Sequence, residues 1–118
     1  MIAAGSGLLL SRGSVAWADL SPTRGREQAG KRPVLAVASR GYLTTVTTLV
    51  VVLPVTTVDR GWPNHVPLRG AHGLDRASWA MTEQLRTIAR DRISDVVGLV
   101  DDATLSDVDV YLRDVLGL

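Results

Sequence analysis

The run at residues 45–53, TVTTLVVVL, constrains the fold of this chain more than any other stretch of its sequence. All of its residues are β-branched except two leucines. β-Branched side chains lose χ1 freedom against the preceding turn of a helix, whereas they pack well on a pleated sheet. The run therefore predicts a central strand that Pro54 would end.

Shorter patterns on both sides of this run predict further strands with turn residues between them. A loose alternation predicts a first strand at residues 14–20, and residues 32–38 predict a second strand whose entry is fixed by Pro33. A turn is predicted at residues 39–42. After the central run, short strands are predicted at residues 65–68, 77–81, 86–89 and 96–100.

The end of the chain predicts one amphipathic helix, capped by Asp101 or Asp102. Its apolar residues recur at intervals of three or four and should pack on the sheet; they are Leu105, Val108, Leu112 and Val115, with Leu116 beside them. Many short strands followed by one terminal helix indicate a mainly β fold, a small and partly open barrel with the helix packed on it.

Length and composition bound the class of protein. A length of 118 residues and ordinary usage, 46% apolar and 21% charged, indicate one globular domain, which we place at residues 12–118. Residues 1–11 lack the basic start and full apolar core of a signal sequence, and we interpret them as a disordered leader or as the product of an over-extended start codon. The longest apolar run, residues 49–55, is far shorter than the ~20 residues of a membrane helix, so a cytoplasmic protein without membrane contact is expected.

The absence of cysteine excludes disulfides, thiolate zinc sites and cysteine nucleophiles. The two histidines do not have HxxxH spacing, which argues against a metal site, and no cofactor is predicted. We interpret both His65 and His72 as solvated or structural residues.

The loop at residues 25–33 contains two glycines, three cations, a carboxylate and an amide directly before the second predicted strand. The net charge of +1 argues against a protein that binds long polyanions by bulk charge. Five of the 13 basic residues nevertheless fall within 17 positions, namely Arg24, Arg26, Lys31, Arg32 and Arg40. The loop is therefore a candidate anion-binding site on a rigid base, with plain solvated charges as the alternative.

Cleavage of RNA by its own 2′-OH needs a group that accepts a proton and cations that hold the charged phosphorane. Arg32 suits the second task because its planar guanidinium matches phosphate oxygens, although a pKa above about 12 makes it a poor general acid. Glu27 and Glu83 are carboxylates among cations and strand ends, and each could accept the 2′-OH proton. Each could equally be an ion-pair partner of a neighbouring arginine.

Thr56 directly follows the most apolar strand, so its hydroxyl could donate to a phosphate oxygen from a rigid position. It could equally form a local turn with its own backbone. Trp62, in a Gly-Trp-Pro turn, is the tryptophan that could stack on a base. Trp17 and Trp79 lie within strand patterns and are interpreted as core residues.

Four segments taken together resemble the MazF/PemK toxins of bacterial toxin–antitoxin systems. They are residues 12–22 (RGSVAWADLSP), 25–34 (GREQAGKRPV), 52–56 (VLPVT) and 83–88 (EQLRTI), and their order and spacing also match the family. The resemblance covers roughly residues 12–118 and is carried by the combination of segments rather than by any one of them.

This resemblance implies a small SH3-like barrel of the MazF/CcdB toxin type, a homodimer and a metal-independent endoribonuclease. Such an enzyme cuts single-stranded RNA at a short sequence and leaves a 2′,3′-cyclic phosphate or 3′-phosphate and a 5′-OH. It also implies a cognate antitoxin, MazE-like or another small protein, that covers the RNA groove. By position, Arg32 matches the catalytic arginine of the family and Thr56 its catalytic threonine, while Glu27 and Glu83 match positions that contact substrate or assist proton transfer in some members.

The residues that we expect to contact RNA are Arg24, Arg26, Gln28, Lys31, Trp62, Gln84 and Arg86. Met81 stands where some relatives carry a catalytic arginine, which leaves the general acid unassigned. Two other functions stay open on the same fold. One is a CcdB-like gyrase poison acting through residues 111–118, and the other is an inactive homologue that only binds an antitoxin.

Overall fold

The described part of the chain forms an antiparallel sheet with two helices. The computed structural model describes residues 9–20 and 30–118. Along this part of the chain the elements are β1 Ser14–Asp19, β2 Lys31–Ala36, α1 Arg40–Thr45, β3 Leu49–Thr56, β4 His65–Pro67, β5 Trp79–Met81, β6 Arg86–Ala89, β7 Ile93–Leu99 and α2 Asp102–Leu116. Single turns of 3₁₀ helix lie at Thr82–Gln84 and Arg90–Arg92.

Strand β3 joins most of the sheet together. The strands follow the order β4-β5-β3-β2-β1-β7, and β6 also pairs with β3. One side of β3 contacts β2, while the other side pairs with β6 at residues 49–52 and with β5 at residues 55–56. This is the mainly β, partly open barrel with a C-terminal helix that the sequence predicts, and the fold class is confirmed.

The limits of β3 differ from the prediction. Pro54 lies inside the strand, where it pairs with Val34 of β2, and does not end it. On the other side of β3 the pairing with β6 stops at Val52 and that with β5 starts at Val55. Pro54 falls in this gap, which is where an internal strand tolerates a residue without an N–H.

Helix α1 replaces the turn predicted at residues 39–42 and includes Thr45, the first residue of the predicted central strand, while β3 begins only at Leu49. Ser39 caps this helix, because its Oγ accepts the backbone N–H of Tyr42 at 3.1 Å. At the other end, the guanidinium of Arg90 donates to the carbonyl oxygens of Leu43 and Val46. A side chain more than 40 positions away thus satisfies the end of a short helix that contains a glycine and two threonines, residues of low helix propensity.

Two hydrophobic clusters lie on the two faces of the sheet. Alternate residues of the strands enter opposite clusters: Ala16 and Val34 belong to the first, and Val15 and Leu35 to the second. Helix α2 covers the second cluster with Val108, which is fully buried. Because both faces are packed, β3 has the continuous apolar sequence of an internal strand rather than a clean alternation.

Helix α2 begins as predicted, with Asp101 as its cap. The carboxylate of Asp101 accepts from the backbone N–H and the hydroxyl of Thr104 at 2.9 and 2.7 Å. The predicted apolar stripe is only partly correct, because Val115 and Leu116 are 47% and 52% exposed. The last turn of α2 extends past the sheet surface that Val108 covers.

The N-terminal side of the folded unit starts before residue 12. Leu10 packs against the first cluster, and the carbonyl oxygen of Ser11 accepts the N–H of Ser14 at 3.0 Å. Of the leader expected at residues 1–11, residues 1–8 lie outside the described part of the chain. Within the described residues, no helix is long and apolar enough to cross a membrane.

Replacing Gly98 by Ala tests the close packing of the loop at residues 70–74 on β7. A Cβ at Gly98 would lie 2.3 Å from the carbonyl carbon of His72 and 2.4 Å from the carbonyl oxygen of Ala71, so backbone would have to move. We expect Gly98→Ala to lower the free energy of unfolding by about 2 kcal/mol in urea denaturation.

The matched control is Gly41→Ala in α1, where the nearest atom, Ser39 Oγ, lies 4.0 Å from the added Cβ. This change should leave stability unchanged or raise it by up to about 1 kcal/mol, because Ala favours helix over Gly. Equal stability of the two variants would contradict the packing described for Gly98.

Candidate functional site

An open cleft of about 360 Å³ lies where β2 begins and β3 ends. Its walls come from β1, from these two strand ends and from the segment that precedes β5. The lining residues are Trp17, Lys31, Arg32, Pro33, Val55, Thr56, Thr57, Val58, Leu74, Asp75, Arg76 and Ser78. The cleft therefore contains three of the residues predicted to act on RNA: Lys31, Arg32 and Thr56.

The register of β2 and β3 explains why Arg32 and Thr56 meet. Val34 pairs with Pro54, and extending this antiparallel register by two residues places Arg32 opposite Thr56. Side chains opposite each other on neighbouring strands lie on the same face, with Cβ atoms about 5 Å apart. The two residues that the sequence singles out from distant segments are thus brought together by strand pairing.

Thr56 has a half-buried side chain with a defined local contact. Its Oγ1 accepts the backbone N–H of Val58 at 3.1 Å, so the local turn weighed from the sequence is present. This bond uses the hydroxyl oxygen as an acceptor and leaves the hydroxyl proton to be donated. No residue in the described ranges accepts that proton. The turn fixes the hydroxyl without preventing a contact with a ligand.

The cations of the cleft are exposed and available. Within residues 9–20 and 30–118, neither Lys31 nor Arg32 forms an ion pair. Arg76 adds a third cation from the opposite wall. An exposed guanidinium beside a hydroxyl donor is an arrangement that binds phosphate oxygens by charge-assisted hydrogen bonds.

Glu83 does not line this cleft; it belongs to a separate group that we call the His65 cluster, formed by Trp62, Asn64, His65, Glu83 and Gln84. His65 Nε2 lies 3.1 and 3.0 Å from the two carboxylate oxygens of Glu83, and Asn64 Nδ2 donates to Oε1 at 2.8 Å. An ionised carboxylate only accepts hydrogen bonds, so Nε2 of His65 carries the proton. The carboxylate is held in a fixed orientation while 31% of its side chain stays exposed.

The His65 cluster also changes the acidity of Glu83. Partial burial raises the pKa of the Glu83 carboxyl, but hydrogen bonds from His65 and from its own backbone outweigh this effect. The pKa consequently lies below its ordinary value of 4.5. Glu83 is therefore ionised at neutral pH, as a proton acceptor must be.

Trp62 is the exposed aromatic residue of this cluster. Its side chain is 51% exposed, and its ring centroid lies 4.8 Å from that of His65. Gln84 donates to Glu83 Oε2 at 3.4 Å. His65 itself is buried, which agrees with the structural role expected for it, and its Nδ1 has no partner among the described residues.

Strand β5 connects the His65 cluster to the cleft. Trp79 at one end of β5 pairs with Thr56, and Met81 at the other end pairs with His65. At about 3.3 Å per residue, Trp79 and Met81 are separated by roughly 7 Å along the strand. The cluster is thus adjacent to the cleft but does not form part of its lining.

Other predicted site residues are placed as follows. Arg86 is exposed in β6, pairs with Val52 and does not line the cleft. The residues predicted from the start of the basic loop are Arg24, Arg26, Glu27 and Gln28, and they lie outside the described part of the chain. Their roles stay predictions.

The sequence did not predict that the charged or aromatic residues Trp17, Asp75 and Arg76 line the cleft. Trp17 was interpreted as core, yet it is half-buried and lines the cleft, because its neighbours Ala16 and Ala18 take the buried face of β1. Asp75 and Arg76 belong to a glycine-bearing loop that carries no motif. The alternation of Ala16, Trp17 and Ala18 could have indicated that Trp17 faces away from the buried side of β1. Nothing in the sequence shows which strand ends are covered by the loop that carries Asp75 and Arg76.

No group of histidine and carboxylate side chains in the described ranges is arranged to hold a metal ion. The polar side chains that line the cleft are three cations, three hydroxyls and one carboxylate.

Comparisons with known proteins agree with this fold. The sequence model of a family described as PemK-like, MazF-like toxin of type II toxin-antitoxin system matches residues 11–116. Endoribonuclease EndoA of Bacillus subtilis (strain 168) is 34% identical over 113 residues, which cover 94% of this chain and 97% of that protein.

Solved structures with the same fold include an endoribonuclease in complex with its cognate antitoxin from a mycobacterial species. It has a TM-score of 0.78 and 26% identity, and the match covers 93% of this chain and 97% of that one. The MazE–MazF complex of Deinococcus radiodurans also gives a TM-score of 0.78 at 26% identity, covering 94% and 98% of the two chains.

The His65–Glu83 contact predicts a pH-dependent contribution to stability. Because the pKa of Glu83 is lowered in the folded state, this contribution is present above its ordinary value of 4.5 and is lost as the pH falls through the folded value. Between about pH 6 and about pH 3, we expect the free energy of unfolding of the wild type to fall more steeply than that of Glu83→Gln.

Urea denaturation across this range measures the difference. Asp91→Asn, which changes an exposed carboxylate on the 3₁₀ turn Arg90–Arg92, is the control and should keep the wild-type slope. Parallel curves for the wild type and Glu83→Gln would show that the contact contributes nothing.

Proposed function

We propose that this chain, which belongs to the PemK-like, MazF-like toxins of type II toxin–antitoxin systems, is an endoribonuclease that cleaves single-stranded RNA. The observation that carries the proposal is the convergence of Arg32 and Thr56 at one open cleft through the register of β2 and β3. The name of the Bacillus subtilis relative, an endoribonuclease at 34% identity, supports the same activity.

The proposed reaction is an internal transfer at phosphorus. The 2′-oxygen forms a bond to the adjacent phosphorus, the bond from phosphorus to the 5′-oxygen breaks, and the products are a 2′,3′-cyclic phosphate and a 5′-OH. Hydrolysis of the cyclic product would give the 3′-phosphate. Because the nucleophile is already part of the substrate, the step needs no metal-bound hydroxide, and we propose that it is metal-independent and requires no cofactor.

Arg32 and Thr56 would stabilise the charge that develops on the phosphorane. The guanidinium of Arg32 matches two non-bridging oxygens, and the free hydroxyl proton of Thr56 supplies a third hydrogen bond. The N–H of Val58 holds the Thr56 hydroxyl in place before substrate binds. Such fixed donors are worth more in the transition state than mobile ones, because they need no reorganisation.

The 2′-OH must lose its proton to a base and the 5′-oxygen must gain one. Glu27 is our proposed base by position in the basic loop. Glu83 is the second candidate, since the His65 cluster keeps it ionised and oriented. Its lowered pKa makes it a weaker proton acceptor than an ordinary carboxylate, and its place outside the cleft lining favours an auxiliary role.

RNA would extend from the cleft over neighbouring surfaces. Lys31 lies at the phosphate site, Trp62 offers an exposed ring for stacking, and Gln84 lies beside it in the His65 cluster. Arg86 on β6 would contact the phosphate backbone of the RNA at a greater distance from the cleft. Arg24, Arg26 and Gln28 lie outside the described residues, and we keep them as proposed RNA contacts.

We further propose that the chain acts as a homodimer in the cytoplasm and is inhibited by a cognate antitoxin. The mycobacterial and Deinococcus radiodurans structures with this fold are complexes with an antitoxin or with MazE. The match to the PemK-like, MazF-like family favours ribonuclease activity over the gyrase-poison alternative.

Arg32→Ala is the direct test of the phosphate site. Purified protein incubated with mixed RNA in EDTA should give discrete cuts with 5′-OH ends, and the variant should cut at least about 100-fold more slowly because a charge-stabilising donor is lost. Arg113→Ala, which removes an exposed arginine in the last turn of α2, should cut at the wild-type rate. Cutting that requires a divalent metal, or normal cutting by Arg32→Ala, would refute the mechanism.

Thr56→Val and Thr56→Ser separate the hydroxyl from the shape of the side chain. Ser keeps both the acceptor for Val58 N–H and the donor for phosphate, so its rate should stay within a few-fold of the wild type. Val keeps the volume but loses both bonds, and we expect a decrease of about 100-fold. Rates are measured on one labelled RNA, with thermal unfolding as the check on folding; equal rates for Val and Ser would exclude the hydroxyl from the reaction.

A further inference from the structure

We propose that the cleft binds a guanine base next to the cleaved phosphate and that the carboxylate of Asp75 reads its Watson–Crick edge. This inference rests on the proposed ribonuclease function and assigns a specificity-determining residue within the same site. It starts from a carboxylate that has no evident place in a site for phosphate.

Asp75 is an acid in the wall of a cleft whose other charged residues are Lys31, Arg32 and Arg76. A carboxylate repels phosphate, so it does not serve the phosphate site itself. An acid that only balances these cations should pair with one of them. In the described part of the chain, Asp75 forms no ion pair and no side-chain hydrogen bond, so its oxygens are free to accept from a ligand.

The floor of the cleft is apolar and includes an aromatic ring. Trp17 pairs with Pro33 across β1 and β2, and Val55 and Leu74 belong to the packing of the second hydrophobic cluster. Trp17, Pro33 and Val55 lie on the face of the strands opposite to that of Arg32 and Thr56, which are on the rim, while Leu74 comes from the loop before β5. An apolar floor with an aromatic ring beside a cationic rim has the composition of a nucleobase subsite next to a phosphate site.

The chemistry of the bases selects guanine for a carboxylate reader. Guanine has two adjacent donors on its Watson–Crick edge, N1–H and the 2-amino group, which match the two oxygens of Asp75. Adenine and cytosine each place an acceptor beside a single amino donor, and uracil flanks its one N–H with two carbonyl oxygens. Those acceptors would face the carboxylate and repel it, so guanine should be preferred by about 10-fold or more.

A binding experiment tests the inference without cleavage. The probes are short 2′-O-methyl oligoribonucleotides, which lack the nucleophile, made of uridines with one central guanine or one central adenine. Wild-type protein should bind the guanine probe about 10-fold more tightly than the adenine probe. Asp75→Asn should lose this difference, because its amide presents one donor and one acceptor. Trp17→Ala should weaken the binding of both probes to a similar extent, since stacking on an aromatic ring does not depend strongly on which base is stacked.

Asp91→Asn is the matched control, an identical change at an exposed carboxylate on the 3₁₀ turn Arg90–Arg92, and it should keep the guanine preference. Equal binding of the two probes by the wild type, or a guanine preference that persists in Asp75→Asn, would overturn the inference.

Mapping the cuts in mixed RNA gives the second readout. Wild-type cuts should share a guanine at one fixed position, and Asp75→Asn should cut with that preference reduced about 10-fold while its rate at adenine-containing sites stays within a few-fold. If Asp75→Asn is equally slow at every sequence, the carboxylate acts in the chemistry and not in base recognition. A wild type that binds guanine probes selectively but does not cut would refute the ribonuclease and leave the guanine site standing.

Discussion

The antiparallel register between β2 and β3 is the constraint on which the rest of the site depends. The pairing of Val34 with Pro54 sets which residues meet at the strand ends, and thereby places Arg32 opposite Thr56. A slip of one residue would turn every side chain of one strand to the other face. Both faces of these strands are buried in hydrophobic clusters, so such a slip would expose apolar side chains and is strongly disfavoured. The core thus enforces the alignment of the catalytic candidates.

Much of this fold is predictable from local patterns, and the exceptions have physical causes. Strand β6 and the cap at Asp101 follow the prediction because they depend on residues close in sequence. Helix α1 was missed because its C-terminal carbonyls are satisfied by Arg90, far along the chain. The prediction that Pro54 ends the strand is wrong because an internal proline is tolerated only at a gap between two neighbouring strands. These are tertiary effects that no sequence window contains.

The residues of the candidate site also divide into those that local sequence predicts and those that depend on tertiary contacts. Arg32 and Thr56 could be identified from their segments, and in the structure both line the cleft. Trp17 and Asp75 could not, because their presence in the cleft depends on which face a strand buries and on where a loop crosses it. The proposed base Glu27 and the neighbouring loop residues remain predictions. Glu83 is joined to His65 rather than to the cleft, so the sequence identified a functional candidate without its partners.

The contact of the loop at residues 70–74 with β7 has a consequence for how this site can diversify. Gly73 has a φ of +82°, and a Cβ there would lie 2.2 Å from the carbonyl oxygen of Val97, so backbone packs directly on backbone. Asp75 and Arg76 follow Gly73 closely in the sequence. Their positions are therefore set by main-chain packing, independently of their own side chains. Substitutions at these two positions would therefore change the proposed base contact without moving the strand ends that hold Arg32 and Thr56. Sequence preference could then evolve separately from the proposed catalysis.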